Sequence, residues 1–384
     1  ALGILIGTFA GDWAGTRWLM HLVVFGKTFL KDLIQFFLPL IMITFLAVGI
    51  ADLGKRAGSM LKFTLSLAYL YTLIACAIGA VVIVIFFQIF PAVIDAAAAR
   101  SVEPRPLPPN IVNLRIPFPF SESLITSIVL GFVLGIGMTW VKSDNLMKVM
   151  KEGRELSAQM IRRVIIPVIP FYVGCVFGAI AYQGDLWPKM RVFGYMLLII
   201  VALQWIWLFI QYSIAGGYAG QNPYPVFKIM FPAYLTAWGT TSSAVTMPVS
   251  LARGKTIPHM KEDVADFVFP MCSQVHLSGS AMTITISAIT VSLLTYGRIP
   301  ALAPLILFMV VLSIIEVGAV GVPGGSIMAA WPALTGILLF GDEAMGLMFA
   351  LFLIQDSFGT AANITGDASI AMIVNRKFGR AAER

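Results

Sequence analysis

Hydrophobic positions along the chain gather into long runs of two kinds. In the first half the runs are continuous: Leu33–Ile50, Leu61–Phe90, Ile125–Val141, Ile165–Tyr182 and Val192–Ile214. A hydrocarbon core about 30 Å thick is crossed by about 20 helical residues, so each run predicts a membrane span. Beyond about Gly217 the runs are repeatedly interrupted by Gly, Pro, Ser and Thr. Tyr234–Leu251 contains TTSSAVTMP, Phe267–Leu294 contains SQVHLSGS, and Leu305–Phe340 contains GAVGVPGGS. The last segment, Met345–Val374, contains QDSFGTAANITGD.

That final stretch sets two aspartates and an asparagine between apolar flanks, Met345–Ile354 and Ala368–Val374, so its polar groups lie at membrane depth. Interrupted segments recurring at corresponding places point to a transporter site, because broken helices expose carbonyls and helix ends at the midplane. Irregular backbone is tolerated there only inside protein or beside a wet cavity. Two units emerge, each a Ser- or Gly-rich hairpin followed by a broken helix, and together they predict an inverted repeat. Plainer readings stand beside this one: close helix packing for TTSSAVTMP, an ordinary turn for GVPGG, and buried helix-capping aspartates. The sequon Asn363-Ile364-Thr365 is flanked by membrane-depth residues and is not read as a glycosylation site.

Composition supports the membrane reading. Mean hydropathy is +0.89, with 59% hydrophobic and 12% charged residues, where soluble chains carry roughly 25% charged residues. Alternating strands of the outer-membrane kind are absent, which predicts an all-α polytopic membrane protein. A net charge of +7 could suit nucleic acid, but the basic residues sit in linkers: Lys55, Arg56 and Lys62, then Lys142–Arg163, Arg253–Lys261 and Arg376–Arg384. Placing these in the cytoplasm leaves Asp12–Arg17, Pro104–Pro109 and Gln183–Arg191 outside, a self-consistent alternation in the inner cell membrane. Lipid, not nucleic acid, is the expected partner. Cys76, Cys175 and Cys272 lie in apolar segments and read as packed small hydrophobes, with neither zinc nor redox chemistry expected. Ala1–Ala10 is too short to span and lacks a basic leader, which suggests a truncated first helix or a missing N-terminus.

Four motifs in order carry a resemblance. TTSSAVTMP (Thr240–Pro248), HLSGS (His276–Ser280), GVPGG (Gly321–Gly325) and DSFGTAANITGD (Asp356–Asp367) resemble, over essentially the full chain, the dicarboxylate/amino acid:cation symporters, the glutamate transporter homologues. They correspond to the first hairpin tip, the break in the seventh helix (NMDGT in the family), the second hairpin tip and the eighth-helix pattern D-x-x-R-T-x-x-N-x-x-G-D. The resemblance implies eight transmembrane helices, two re-entrant hairpins and a homotrimer whose transport domain slides against a scaffold. Applied here, residues 1–58 and 91–190 would be scaffold. Residues 59–90 and 191–384 would form the transport domain, with hairpins near 223–256 and 302–340.

The implied site residues follow position by position. Asp356 would receive a substrate ammonium group; Thr360, Asn363 and the backbone around Ser242, Ser243, Val322 and Gly324 would hold its carboxylate, helix-end N–H groups being suited to anions. Asp367 would bind sodium together with backbone oxygens of Cys272, His276 and Asn363. Each buried aspartate is expected to need a counter-charge. Where acidic-substrate carriers place an arginine, this chain has Gly359 and Thr241, so an unpaired second carboxylate would be buried at a cost. A small neutral amino acid fits better, with Gly359 leaving room for its side chain, while acidic amino acids and dicarboxylates remain the alternative. The family's Asn and Asp in NMDGT are His276 and Ser278 here, which removes one sodium site, near Tyr69 and Thr72 of the third helix. His276 and Glu316 are candidate proton carriers or, more plainly, packed neutral residues. A channel using the hairpins as a filter and an intramembrane enzyme are the rival classes; no nucleophile with its base is recognisable, and no organic cofactor is expected.

Overall fold

The computed structural model describes residues 2–12, 18–55, 58–91, 93, 107–108, 124–141, 143–184, 186–319, 321 and 323–379. Val322, Arg56, Lys142, most of the Pro104–Pro109 and Asp12–Arg17 linkers, and the basic tail beyond Gly379 lie outside the described residues. Every regular element among those described is helical: α1 Leu2–Asp12, α2 Trp18–Lys55, α3 Ser59–Ile89, α4 Leu124–Val141, α5 Asp144–Met160, α6 Ile166–Gln183, α7 Leu186–Ala219, α8 Pro223–Thr240, α9 Ser243–Gly254, α10 Glu262–Val275, α11 Ser278–Tyr296, α12 Leu302–Ile315, α13 Gly325–Gly336 and α14 Asp342–Phe378. A π-helical turn, Ile161–Ile165, joins α5 to α6, and a 3-10 turn, Glu316–Gly318, extends α12.

All five apolar runs of the first half are helical, with only Phe90, the C-cap of α3, lying past its helix end. Among the described residues, six helical stretches are long and apolar enough to cross a membrane, including Asp144–Gln183 and Glu262–Tyr296, and two shorter apolar helices, Thr126–Val141 and Leu302–Ile315, accompany them. The lipid-like face is plain on α12: Leu302, Ile306, Leu307, Val310 and Ile314 point outward while Leu305, Phe308, Met309 and Leu312 are buried. Such a surface suits lipid or an apolar protein partner.

Two sequence expectations are corrected here. The basic stretch Lys142–Arg163, read as a linker, is helical from Asp144 onward. Ser143 caps α5, its hydroxyl accepting from the Leu146 N–H at 3.2 Å, and Asp144 adds a favourable charge in the first turn. Its basic residues form the solvated face of a helix that buries Met147, Ser157 and Ala158. The second correction concerns the polar cluster of the last segment, expected to break its helix. Instead α14 runs unbroken for 37 residues, about 55 Å at 1.5 Å per residue. It contains no proline, and its central polar side chains Asp356, Asn363 and Asp367 bond partners outside the helix, while Thr360 and Ser369 bond within it. The chain breaks elsewhere, at Thr241–Ser242, at His276–Leu277, and between Gly318 and Gly325.

Around α14, which is buried almost throughout from Ala344 to Val374, pack α7, α8, α10 and α11, with α3 against α11. A second grouping joins α2 with α4, α5 and α6, and α1 with α6. Contacts of α2 with the Glu316–Gly318 turn and of α4 with α13 connect the two.

Candidate functional site

The α8–α9 pair turns through Thr241, whose φ of 49° lies in the left-handed region, uncommon for a β-branched residue. Ser242 then caps α9, its hydroxyl accepting from the Val245 N–H at 3.3 Å. The same hydroxyl donates to the carbonyl of Gly321, so the two helix-pair tips touch. On the other side, Gly324 (φ 77°) opens α13 and donates its N–H to Asp356 Oδ2 at 2.6 Å. Thr360, one turn along α14, donates to Asp356 Oδ1 at 3.4 Å. Between the tips and α14 lies a cavity of about 20 Å³, lined in part by Thr241, Ser243, Ser280, Ser326, Asp356 and Thr360. That space suits about one water, so the tips are closed over the site.

Asn363 is used differently from expectation. Its Oδ1 accepts from the N–H groups of Gly279 at 2.7 Å and Ser280 at 3.3 Å, and its Nδ2 donates to Ser280 Oγ at 2.8 Å. The side chain thus caps, from α14, the start of α11, whose first N–H groups have no partner within their own helix. Close approach at this point demands glycine: a Cβ on Gly279 would stand 2.7 Å from the Gly359 carbonyl and 2.8 Å from the Ala362 Cβ. Gly359 likewise faces Ser280, whose Oγ would lie 3.2 Å from an added Cβ. The room expected at Gly359 is therefore occupied by Ser280, and the glycine serves helix contact.

One turn beyond Asn363, Asp367 is fully buried and meets His276, Nδ1 to Oδ1 at 3.0 Å. The ring's other nitrogen lies 3.3 Å from Gln211 Nε2, which also donates to Ser278 Oγ at 3.3 Å. With the Gln211 amide nitrogen turned to the ring, Nε2 accepts and a proton on Nδ1 is directed at Asp367; with the amide turned over, its oxygen faces Nε2 and the roles exchange. Asp367 Oδ2 has no partner among the described residues; an orphaned buried oxygen of this kind suits a hard cation. Cys272, a buried free cysteine, offers its carbonyl at the same level, though that oxygen already accepts the His276 N–H at 2.8 Å.

Neither aspartate pairs with a lysine or arginine among the described residues, so the expected counter-charge takes another form. Asp356 has two hydrogen-bond donors and Asp367 has an imidazole. An ionised carboxylate at membrane depth costs roughly 2.5 to 3.5 kcal/mol, which leaves both groups receptive to a cation. Glu316, in the 3-10 turn before the second tip, is 0% exposed and both its oxygens lack a partner among the described residues.

Several polar residues went unnoticed in the sequence. Gln204 and Gln211 of α7, seven residues apart on one face, bind Thr283 (2.9 Å) and the His276 group; Tyr212 donates to the Thr365 carbonyl at 2.7 Å. From the third helix it is Tyr71 whose ring packs against His276, while the Thr72 hydroxyl bonds its own helix at Ala68. Two glutamines two turns apart in an apolar run were the available signal.

Comparison with known proteins covers the same length. The family model described as "Sodium:dicarboxylate symporter family" matches residues 1–377. Among similar proteins, a "Serine/threonine transporter SstT" of Streptococcus thermophilus is 26% identical over 396 residues, covering 98% of this chain and 94% of that protein. A transporter of the same name from Bifidobacterium adolescentis is 27% identical over 386 residues, covering 96% and 87%. Another, from Enterococcus faecalis, is 25% identical over 399 residues, covering 98% and 91%. With one family model matching residues 1–377 and apolar helices suited to a membrane, this chain belongs to the sodium:dicarboxylate symporter family of membrane transporters and is not an enzyme.

Proposed function

We propose that the protein is a sodium-coupled symporter for a small neutral amino acid, with serine and threonine, named for its relatives, as first candidates. The observation that carries this reading is Asp356. It is a buried carboxylate at the edge of a hydroxyl-lined cavity whose lining, among the described residues, contains no lysine or arginine. A substrate ammonium would replace the neutral donors of Asp356 with a charge-assisted bond. The substrate carboxylate would meet the N–H groups at the Ser242–Ser243 helix start, and Thr360, Ser280 and Ser326 would offer hydroxyls to a substrate hydroxyl. A second carboxylate would find no cation, which disfavours acidic amino acids and dicarboxylates.

Sodium in this proposal binds Asp367 Oδ2, supplemented by carbonyl oxygens of Cys272, His276 and Asn363. The pairs α8–α9 and α12–α13 act as re-entrant hairpins within an eight-span fold built on inverted repeats. The grouping around α14 acts as the moving transport domain against a scaffold of α1, α2, α4, α5 and α6, assembled as a homotrimer. Touching tips and a water-sized cavity support a closed state, so substrate entry requires a tip to swing away. A thermal-shift series on purified protein tests the reading. Serine or threonine should raise the melting temperature in sodium and glutamate or succinate should not; the reverse preference would contradict it.

A further inference from the structure

Glu316 takes no part in the scheme above, although it is among the most completely enclosed ionisable side chains of the molecule. It is 0% exposed, and neither oxygen has a hydrogen-bond partner among the described residues. The turn that bears it packs against α2, α10, α12 and α13. The titratable groups facing it are the Asp356 carboxyl from α14 and the Cys76 thiol from α3; α13 presents the Ser326 hydroxyl, and Asp52 of α2 and Arg154 of α5 line the cavity that reaches its neighbours Val317 and Ala319. An ionised carboxylate here would be desolvated and beside a second carboxylate, with the Ser326 hydroxyl as its neighbouring donor. The group is also placed to change surroundings. Gly318 ends its 3-10 turn, and the tip it leads into contains Gly321, Gly324 and Gly325, held shut by the Ser242–Gly321 contact.

We propose that Glu316 is a proton-carrying site of the transport cycle. With the second tip open, water reaches the carboxylate and protonates one oxygen. With the tip closed over substrate, the neutral acid is carried across, and the proton returns to water when the site opens on the other side. The inference rests on the symporter reading and adds a second coupling ion to it.

Two measurements on the full-length protein test it. Infrared difference spectroscopy between the wild type and Glu316→Gln, both purified at neutral pH, should show a carboxylic acid C=O band lost in the variant. A carboxylate band lost in its place would overturn the proposal. In proteoliposomes enclosing a pH dye under a sodium gradient, labelled L-serine uptake should be accompanied by interior acidification. The ratio of protons to serine should fall toward zero in Glu316→Gln, a ratio that a merely less stable variant would not change. Serine uptake without acidification in the wild type, or an unchanged ratio in the variant, would also overturn it. Should no serine be taken up at all, the symporter reading fails on that count, and the infrared band alone decides the state of Glu316.

Discussion

In the proposed site, Asp356 is the residue that would separate an amine-bearing substrate from any other. Its oxygens are held by one backbone N–H, at 2.6 Å, and one hydroxyl, at 3.4 Å, enough to fix the carboxylate but not to neutralise it. Hydrogen bonds to charged groups contribute about 1.5–3 kcal/mol, so Asp356→Asn should weaken serine binding on the order of ten- to a hundredfold. The fold should persist, because an amide oxygen still accepts from Gly324. Calorimetric titration of the variant checks this, and unchanged affinity would assign Asp356 a purely structural role. The residue was legible in the sequence because a carboxylate at membrane depth has few uses. Its partner Gly324 was legible only through the hairpin motif, and Ser280, which fills the space beside Gly359, was not legible as an obstacle, since that contact exists only where α11 crosses α14.

At the scale of elements, one side chain ties two helices. Asn363 of α14 satisfies the exposed N–H groups of Gly279 and Ser280 where α11 begins. Replacing it by leucine leaves both donors buried without a partner, each costing about 1–3 kcal/mol. Asn363→Leu should therefore lower the melting temperature even without ligand; an unchanged melting temperature would show that the contact is dispensable. Here the sequence reading was half right. The polar identities of Asp356–Asp367 pointed to depth and function, and the break at His276–Leu277 fell where the HLSGS motif placed it. The expectation that α14 would break as well failed, because polar residues in a helix can bond outward to neighbours without disturbing its backbone. The helical nature of the stretch from Asp144 onward is hidden for a related reason: charge marks it as exposed, which suits a linker and a solvated helix face alike, although Ser143 and Asp144 form a helix start.

For the whole molecule the question is how ion and substrate are linked. Asp367 and Asp356 lie on one unbroken helix, and Asn363 between them anchors α11. In the proposed reading, an ion held at Asp367 and a substrate held at Asp356 would act on the same pair of helices, and by reciprocity sodium should tighten serine binding as much as serine tightens sodium binding. In Asp367→Asn that mutual effect should vanish, leaving serine affinity the same with and without sodium. Persisting sodium dependence would place the ion elsewhere. The membrane class and helical fold could be read from hydropathy alone, whereas the His276–Asp367–Gln211 group could not. It unites α7, α14 and the α10–α11 break, elements whose proximity only packing determines. The central claim, that this chain is a sodium-driven carrier of small neutral amino acids, is tested most directly by uptake of labelled L-serine into proteoliposomes with and without an inward sodium gradient. Uptake should require the gradient, be suppressed by excess threonine and be unaffected by glutamate or succinate. Uptake indifferent to sodium, or suppressed by glutamate or succinate in preference to threonine, would contradict the account.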